Sequence, residues 1–181
     1  ALHTAFSDFE AKENYKKLRD PAITVSFPFE DDSSTSLLVW TTTPWTVITN
    51  VAIAINPELD YVKVTTKSDY NYIVLSSLAL KNFKEQDIKE ITPVDSAEII
   101  GRKYNPMFPT SNSVGAFEYT VIPSSHVTDA DGTGLVHISP AFGEDDFNLS
   151  SVFSLPVLDF FNAEGQYDLI NNHANPERYE M

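Results

Sequence analysis

The chain has 181 residues, 42% of them hydrophobic and 12% aromatic, with no cysteine and a formal charge of −14 from 26 acids and 12 bases. This composition excludes a disordered chain, and the missing cysteines exclude disulfide frameworks, thiolate zinc sites and cysteine nucleophiles together. The acidic balance excludes a module that grips nucleic acid mainly through phosphates, because that needs a basic surface.

In chain order, residues 1–19 read as a helix or tether with Phe9, Tyr15 and Leu18 as apolar contacts, and 20–181 as one globular domain. The first 20 residues lack the charged, apolar and small-residue layout of a secretory signal, so the NLS sequon at Asn148 is read as chance. Short strands are expected at 23–27, 36–40, 51–55, 61–65 and 70–75, separated by Pro, Asp, Asn and Ser clusters that signal loops. Residues 77–86 (SLALKNFKEQ) suggest a short helix with Leu78, Leu80 and Phe83 near one side. Further strands are expected at 117–122, 135–139 and 156–161, with a helix over 144–153 whose opening acids suit a helix N-terminus. The tail after Asn171 is expected to fray. Many strands with few helices imply a β-rich α+β domain, barrel-like and closed or partly closed. No apolar run approaches the roughly 18 residues of a membrane span, so a soluble cytoplasmic protein without a membrane partner is expected.

Two stretches carry chemistry. Residues 40–46 read WTTTPWT. Threonine and tryptophan suit a half-buried strand, but Pro44 cannot donate to a ladder. The strand should therefore stop near Thr43 and leave a polar, aromatic-lipped corner at its end. Residues 129–146 read DADGTGLVHISPAFGEDD. Gly132 and Gly134 supply freedom before a strand, Pro140 ends it, and Gly143 turns the chain into the helix. His137 and Asp146 would then face one pocket from a strand and a helix start. The plainer alternative, a core histidine and capping acids, is the one that spacing alone favours.

Other motifs fail. DADGTG begins like a calcium loop, but its twelfth position, which needs a bidentate glutamate, is Pro140. His126, His137 and the acids lack a recognised metal-ligand spacing. There is no GxSxG elbow, HExxH or P-loop.

WTTTPWT with Asn50, followed by GTGLVHISPAFGEDD, strongly resembles the editing (CP1) domain inserted into isoleucyl-tRNA synthetases, of the class I family. DPAITVSFPF at 20–29 and LPVLDFFNAEGQYD at 155–168 resemble its flanking strands, so the likeness covers roughly residues 20–170. Related valyl and leucyl editing domains typically read TTRPET, so Trp45 points to the isoleucyl branch. The chain departs from the family pattern at Val47-Ile48-Thr49, where a Leu-Pro-small run is usual, and at Ile138-Ser139. Nothing resembles the HIGH or KMSKS signatures, so an excised insert without the aminoacylation site is expected.

The resemblance implies hydrolysis of valine mischarged onto tRNA(Ile), and of valyl-adenylate, by a metal-free, cofactor-free, water-mediated reaction. The implied partners are the 3′ end of tRNA(Ile) carrying valine and the remainder of the parent synthetase, with the domain a monomer. The implied catalytic set is Thr42, Thr43, His137 and Asp146, with His137 a wall that excludes isoleucine and Asp146 the holder of the α-ammonium. The implied substrate-binding set is Trp40, Thr41, Trp45, Thr46, Asn50 and Phe142. Two rival readings remain: an inactive module that binds the aminoacyl-tRNA end, and a free-standing deacylase for another aminoacyl-tRNA.

Overall fold

The computed structural model of the chain describes residues 21–108, 117–162 and 166. The helix or tether expected over 1–19 and the tail beyond Asn171 lie outside these residues. In chain order the elements are β1 (Ile23–Pro28), β2 (Thr35–Thr41), β3 (Ala52–Ile55), β4 (Tyr61–Thr66), β5 (Asn71–Leu75), α1 (Ala79–Asn82), β6 (Ile88–Val94), α2 (Ser96–Ile99), β7 (Thr120–Pro123), β8 (Val136–Ile138) and α3 (Glu144–Phe153). Five strands form one sheet in the order β1-β2-β5-β4-β6, and three form a second in the order β7-β3-β8. Pairing is antiparallel except between β2 and β5 and between β3 and β7. The α+β class is as expected, but among the described residues the two sheets stay open rather than closing into a barrel.

Period-2 burial explains β2. Thr35, Leu37, Val39 and Thr41 are buried, while Ser36, Leu38 and Trp40 point the other way and are half-buried. The inward row therefore ends in a hydroxyl, and the opposite row ends in an indole. β3 is buried throughout. Its Ile53 and Ile55 join the core under the large sheet, and Ala52 and Ala54 join a second core beneath α3. A strand buried on both faces reads as an unbroken apolar run, which is what AIAI is.

Three expectations need correction. The helix over 77–86 breaks into a 3₁₀ turn (Ser76–Leu78), the single turn α1 and a second 3₁₀ turn (Glu85–Asp87). Leu78 is buried but Leu80 is 66% exposed, so no apolar stripe runs along this segment to hold a longer helix. Residues 155–160 carry no strand, with a single-residue bridge at Phe161. Leu158 and Phe160 nevertheless both enter the second core, so the segment has strand periodicity without a ladder along it. β6 was not anticipated. Its IKEITPV sequence has no clean alternation of burial, and it is an edge strand held by β4.

Candidate active site

A cavity of about 590 Å³ opens between the end of β2, the 3₁₀ turn Pro44–Thr49, the loop before β8, β8 itself and the start of α3. That is ample for a small ligand or the end of a larger one. Nine of the ten site residues expected from sequence line it. Asn50 does not: it is buried, accepts a hydrogen bond from the Tyr104 hydroxyl (2.6 Å) and donates to the Ala52 carbonyl (2.8 Å). Its position is that of a brace between β3 and the large core.

The threonine corner is hydrogen-bonded to itself. The Thr43 N–H donates to Thr41 Oγ1 (3.1 Å), Thr46 Oγ1 donates to the Thr43 carbonyl (2.9 Å), and Thr49 Oγ1 donates to the Thr46 carbonyl (2.8 Å). Thr43 Oγ1 stands 3.2 Å from both Thr41 Oγ1 and Thr46 Oγ1. Pro44 opens the 3₁₀ turn, where its missing N–H costs nothing. Thr42 is exposed on the cavity lip.

His137 faces this corner because β8 pairs antiparallel with β3, setting His137 opposite Ile53 on the face toward the large core. Its Nε2 lies 3.2 Å from Thr46 Oγ1 and 3.4 Å from Thr41 Oγ1. The one hydroxyl proton of Thr46 goes to the Thr43 carbonyl, so Thr46 Oγ1 accepts from His137 and the ring proton is assigned to Nε2. Nδ1 is then a bare acceptor, buried with no hydrogen-bond partner among the described residues. Burial pushes the imidazole pKa down to about 4, so His137 is neutral near pH 7.

Across the cavity, Asp146 stands in the first turn of α3 behind Gly143. Its Oδ2 accepts the Ser139 N–H (2.8 Å), and no other hydrogen bond to it occurs among the described residues. Burial raises its pKa above the ordinary carboxylate value; the Ser139 bond opposes that, Asp145 adds to it and His126 opposes it. Ser139 in turn shares a 2.5 Å hydroxyl contact with Thr49, both fully buried. Thr49 has already given its proton to the Thr46 carbonyl, so Ser139 is the donor.

Trp45 and Phe142 form the exposed lip at 46% and 43% exposure, and the edge of Phe142 meets Phe161 at a centroid distance of 5.2 Å. Trp40 packs on the loop before β8, where Gly132 and Gly134 both hold positive φ (78° and 76°). Ten lining residues were not singled out from sequence as site residues, and five of these carry polar side chains: His126, Thr128, Asp131, Thr133 and Ser139. Thr133 had a signal, since it sits inside the GTG motif; the others are ordinary loop types. His126 lies 3.8 Å from Asp145 rather than beside His137, and no group of three acids and histidines able to hold a metal occurs among the described residues.

No protein-family model matches the chain. Among solved structures it resembles the crystal structure of GlLeuRS-CP1, with a TM-score of 0.60 and 16% identity over 72% of this chain and 59% of that one. It also resembles the editing domain of the P. knowlesi cytosolic leucyl-tRNA synthetase, with a TM-score of 0.56 and 14% identity over 74% and 62% of the two chains. The fold is that of the editing domains of aminoacyl-tRNA synthetases.

Sequence narrows this. The chain is 40% identical over 177 residues to the probable cytoplasmic isoleucine–tRNA ligase of Dictyostelium discoideum, 36% over 174 to that of Bdellovibrio bacteriovorus and 39% over 168 to the cytoplasmic enzyme of Mus musculus. These matches cover 90%, 93% and 87% of this chain but only 16%, 16% and 13% of the relatives. The chain is thus homologous to one segment, about a sixth, of the isoleucine–tRNA ligases, and it has the fold of an editing domain.

Proposed function

We propose that the cavity hydrolyses the ester joining valine to the 3′-terminal ribose of tRNA(Ile), and valyl-adenylate as well. One observation carries this reading: a ring of threonine hydroxyls joined to a neutral histidine faces a carboxylate across the same cavity. A water held by Thr43 and its neighbours attacks the carbonyl carbon. The carbonyl-to-ribose C–O bond breaks, the ribose oxygen takes a proton, and valine leaves. Held near pKa 4, His137 is too weak a base to drive the attack at neutral pH and serves instead as a wall. Positioning of water, helped by the substrate's own neighbouring ribose hydroxyl, is the main contribution. Trapping a covalent aminoacyl-enzyme would contradict this mechanism.

Asp146 has Oδ2 engaged by Ser139 and Oδ1 available for the α-ammonium, a charge-assisted bond contributing about 1.5–3 kcal/mol. Trp40, Trp45 and Phe142 offer flat faces on which a terminal base stacks. Among the described residues that line the cavity none is Lys or Arg, in keeping with a module that receives only the end of a tRNA held elsewhere. A single methylene is worth only about 1–3 kcal/mol of discrimination, a limit usually illustrated with isoleucine–tRNA ligases and taken over here from that illustration. A second, smaller sieve answers that limit. In this reading the domain works as a cytoplasmic monomeric unit within a larger synthetase.

The test is deacylation of Val-tRNA(Ile) beside Ile-tRNA(Ile), with Asp146→Ala as control. Loss of valine alone, abolished in the variant, is expected. Loss of both esters would refute the sieve. No reaction, together with no binding of a non-hydrolysable valyl-adenosine analogue, would refute the activity.

A further inference from the structure

The loop that carries Gly132 and Gly134 into β8 is tied to residues far away in sequence. The Leu75 N–H donates to the Thr133 carbonyl (2.9 Å), the Trp40 N–H to Thr133 Oγ1 (3.2 Å), and the Tyr61 hydroxyl to the Gly134 carbonyl (2.9 Å). These three fasten Thr133 and Gly134 to the ends of β2, β4 and β5. The fourth tie differs. Asn82, at the end of α1 and not lining the cavity, donates one amide proton to the Gly132 carbonyl (2.8 Å) and the other to the Leu78 carbonyl (2.9 Å).

Gly132 is the seat of Trp40. A Cβ built there would stand 2.8 Å from Trp40 Cε3, so the indole rests directly on the glycine backbone. Asn82 thus holds the carbonyl of the very residue against which Trp40 leans. Both its donors are used, one within its own helical turn and one across to the loop, so the loop is referenced to α1. α1 in turn rests on the outer face of the large sheet through Ala79, packed with Val62, Val64 and Val74.

We infer that Asn82 is a positioning residue for the cavity: by holding the Gly132 carbonyl it sets where the Trp40 indole stands, and so how tightly an aminoacylated end is held. The binding arm of this inference rests on the deacylase reading above; the placement of Trp40 does not. Asn82→Asp is nearly isosteric but has no proton to donate to either carbonyl, and Asn82→Ala removes the amide altogether.

Two readouts test it. In a Trp45→Phe chain Trp40 is the single tryptophan, so its emission maximum and acrylamide quenching report on its seat alone. With Trp45 intact, KM and kcat for Val-tRNA(Ile) are measured. Both Asn82 variants are expected to stay folded, to shift Trp40 emission to the red and to raise its quenching. KM should rise roughly fivefold, the factor corresponding to one ordinary hydrogen bond, with kcat changed less than twofold. Unchanged Trp40 fluorescence in either folded variant would overturn the inference, as would a fall in kcat without a change in KM. Failure of both variants to fold would assign Asn82 to stability alone and overturn it too. If the unaltered chain shows neither deacylation nor binding of the valyl-adenosine analogue, the proposed function fails, and Trp40 fluorescence still decides the positioning role.

Discussion

The two walls of the cavity are held in different ways. The threonine corner is built from contacts two or three residues apart: Thr43 to Thr41, Thr46 to Thr43, Thr49 to Thr46. The opposite wall, from Gly132 to Asp146, is anchored chiefly by Trp40, Tyr61, Leu75 and Asn82, which lie 50 or more positions away along the chain. A wall of local contacts takes its shape as soon as the turn forms. A wall of distant contacts exists only once the large sheet is complete, so its residues couple the site to global stability. Substitutions in the first wall should therefore alter chemistry, and those in the second should alter folding as well.

The sharpest way to break this comparison is Gly134→Ala. The added Cβ would stand 2.3 Å from Leu75 Cβ at a positive φ, where neither atom lies at the end of a flexible chain. Overpacking and left-handed strain together cost about 3–4 kcal/mol, which thermal or denaturant unfolding would read. Gly132→Ala should cost less, about 2 kcal/mol, because its neighbour is an indole ring that can tilt. Equal costs would mean that the loop yields as a unit.

Acid titration comes next. His137 has a folded pKa of about 4 against an ordinary value of 6.5, so the unfolded chain binds the proton more readily between those values. Stability from this group is complete above about pH 6.5 and is lost as pH falls toward 4, by about 3 kcal/mol in all. Asp146, with its pKa raised, works in the opposite sense, losing its contribution as pH rises above the ordinary carboxylate range. Denaturant melts from pH 4 to 7 should show a slope that His137→Gln flattens; an unchanged slope would place the acid sensitivity elsewhere.

Asp146→Asn separates two roles of one side chain. An amide oxygen can still accept the Ser139 N–H, so stability should shift by less than about 1 kcal/mol. An amide cannot pair an ammonium as a carboxylate does, so deacylation should fall about 10- to 100-fold. A fall in stability with activity intact would make Asp146 a cap rather than a ligand. Because its pKa is raised, KM in the unaltered chain should climb on acidification before ordinary carboxylates titrate.

Legibility followed the same division. The threonine corner and the helix over 144–153 were readable because proline, hydroxyl spacing and first-turn acids act locally. The placement of β8 beside β3, which turns His137 toward Thr46, was not, since register between distant strands leaves no local mark. Asn82 carries no local signal of its role; only the assembled fold shows its amide on Gly132. Asn50, motif position notwithstanding, is walled off by Tyr104 and Ala52. The missing ladder at 156–161 has a similar cause: alternating apolar residues specify burial but not a strand partner.

The smallest effect concerns Thr49 and Ser139, whose hydroxyls meet at 2.5 Å beneath the cavity. Thr49→Ala or Ser139→Ala alone should cost about 1–2 kcal/mol, and the double variant less than the sum, by a coupling of about 1 kcal/mol in a double-mutant cycle. Both positions lie in the two segments where the sequence resemblance to the isoleucyl editing domains breaks off. Their hydroxyls meet where the two segments touch, which ties one position to the other. Ser139 without Thr49 would strand a hydroxyl in the protein interior, whereas Thr49 without Ser139 keeps the Thr46 carbonyl, so a lineage gaining Ser139 first passes through a less fit intermediate. Across related sequences a polar residue at 139 should accordingly come with a polar one at 49.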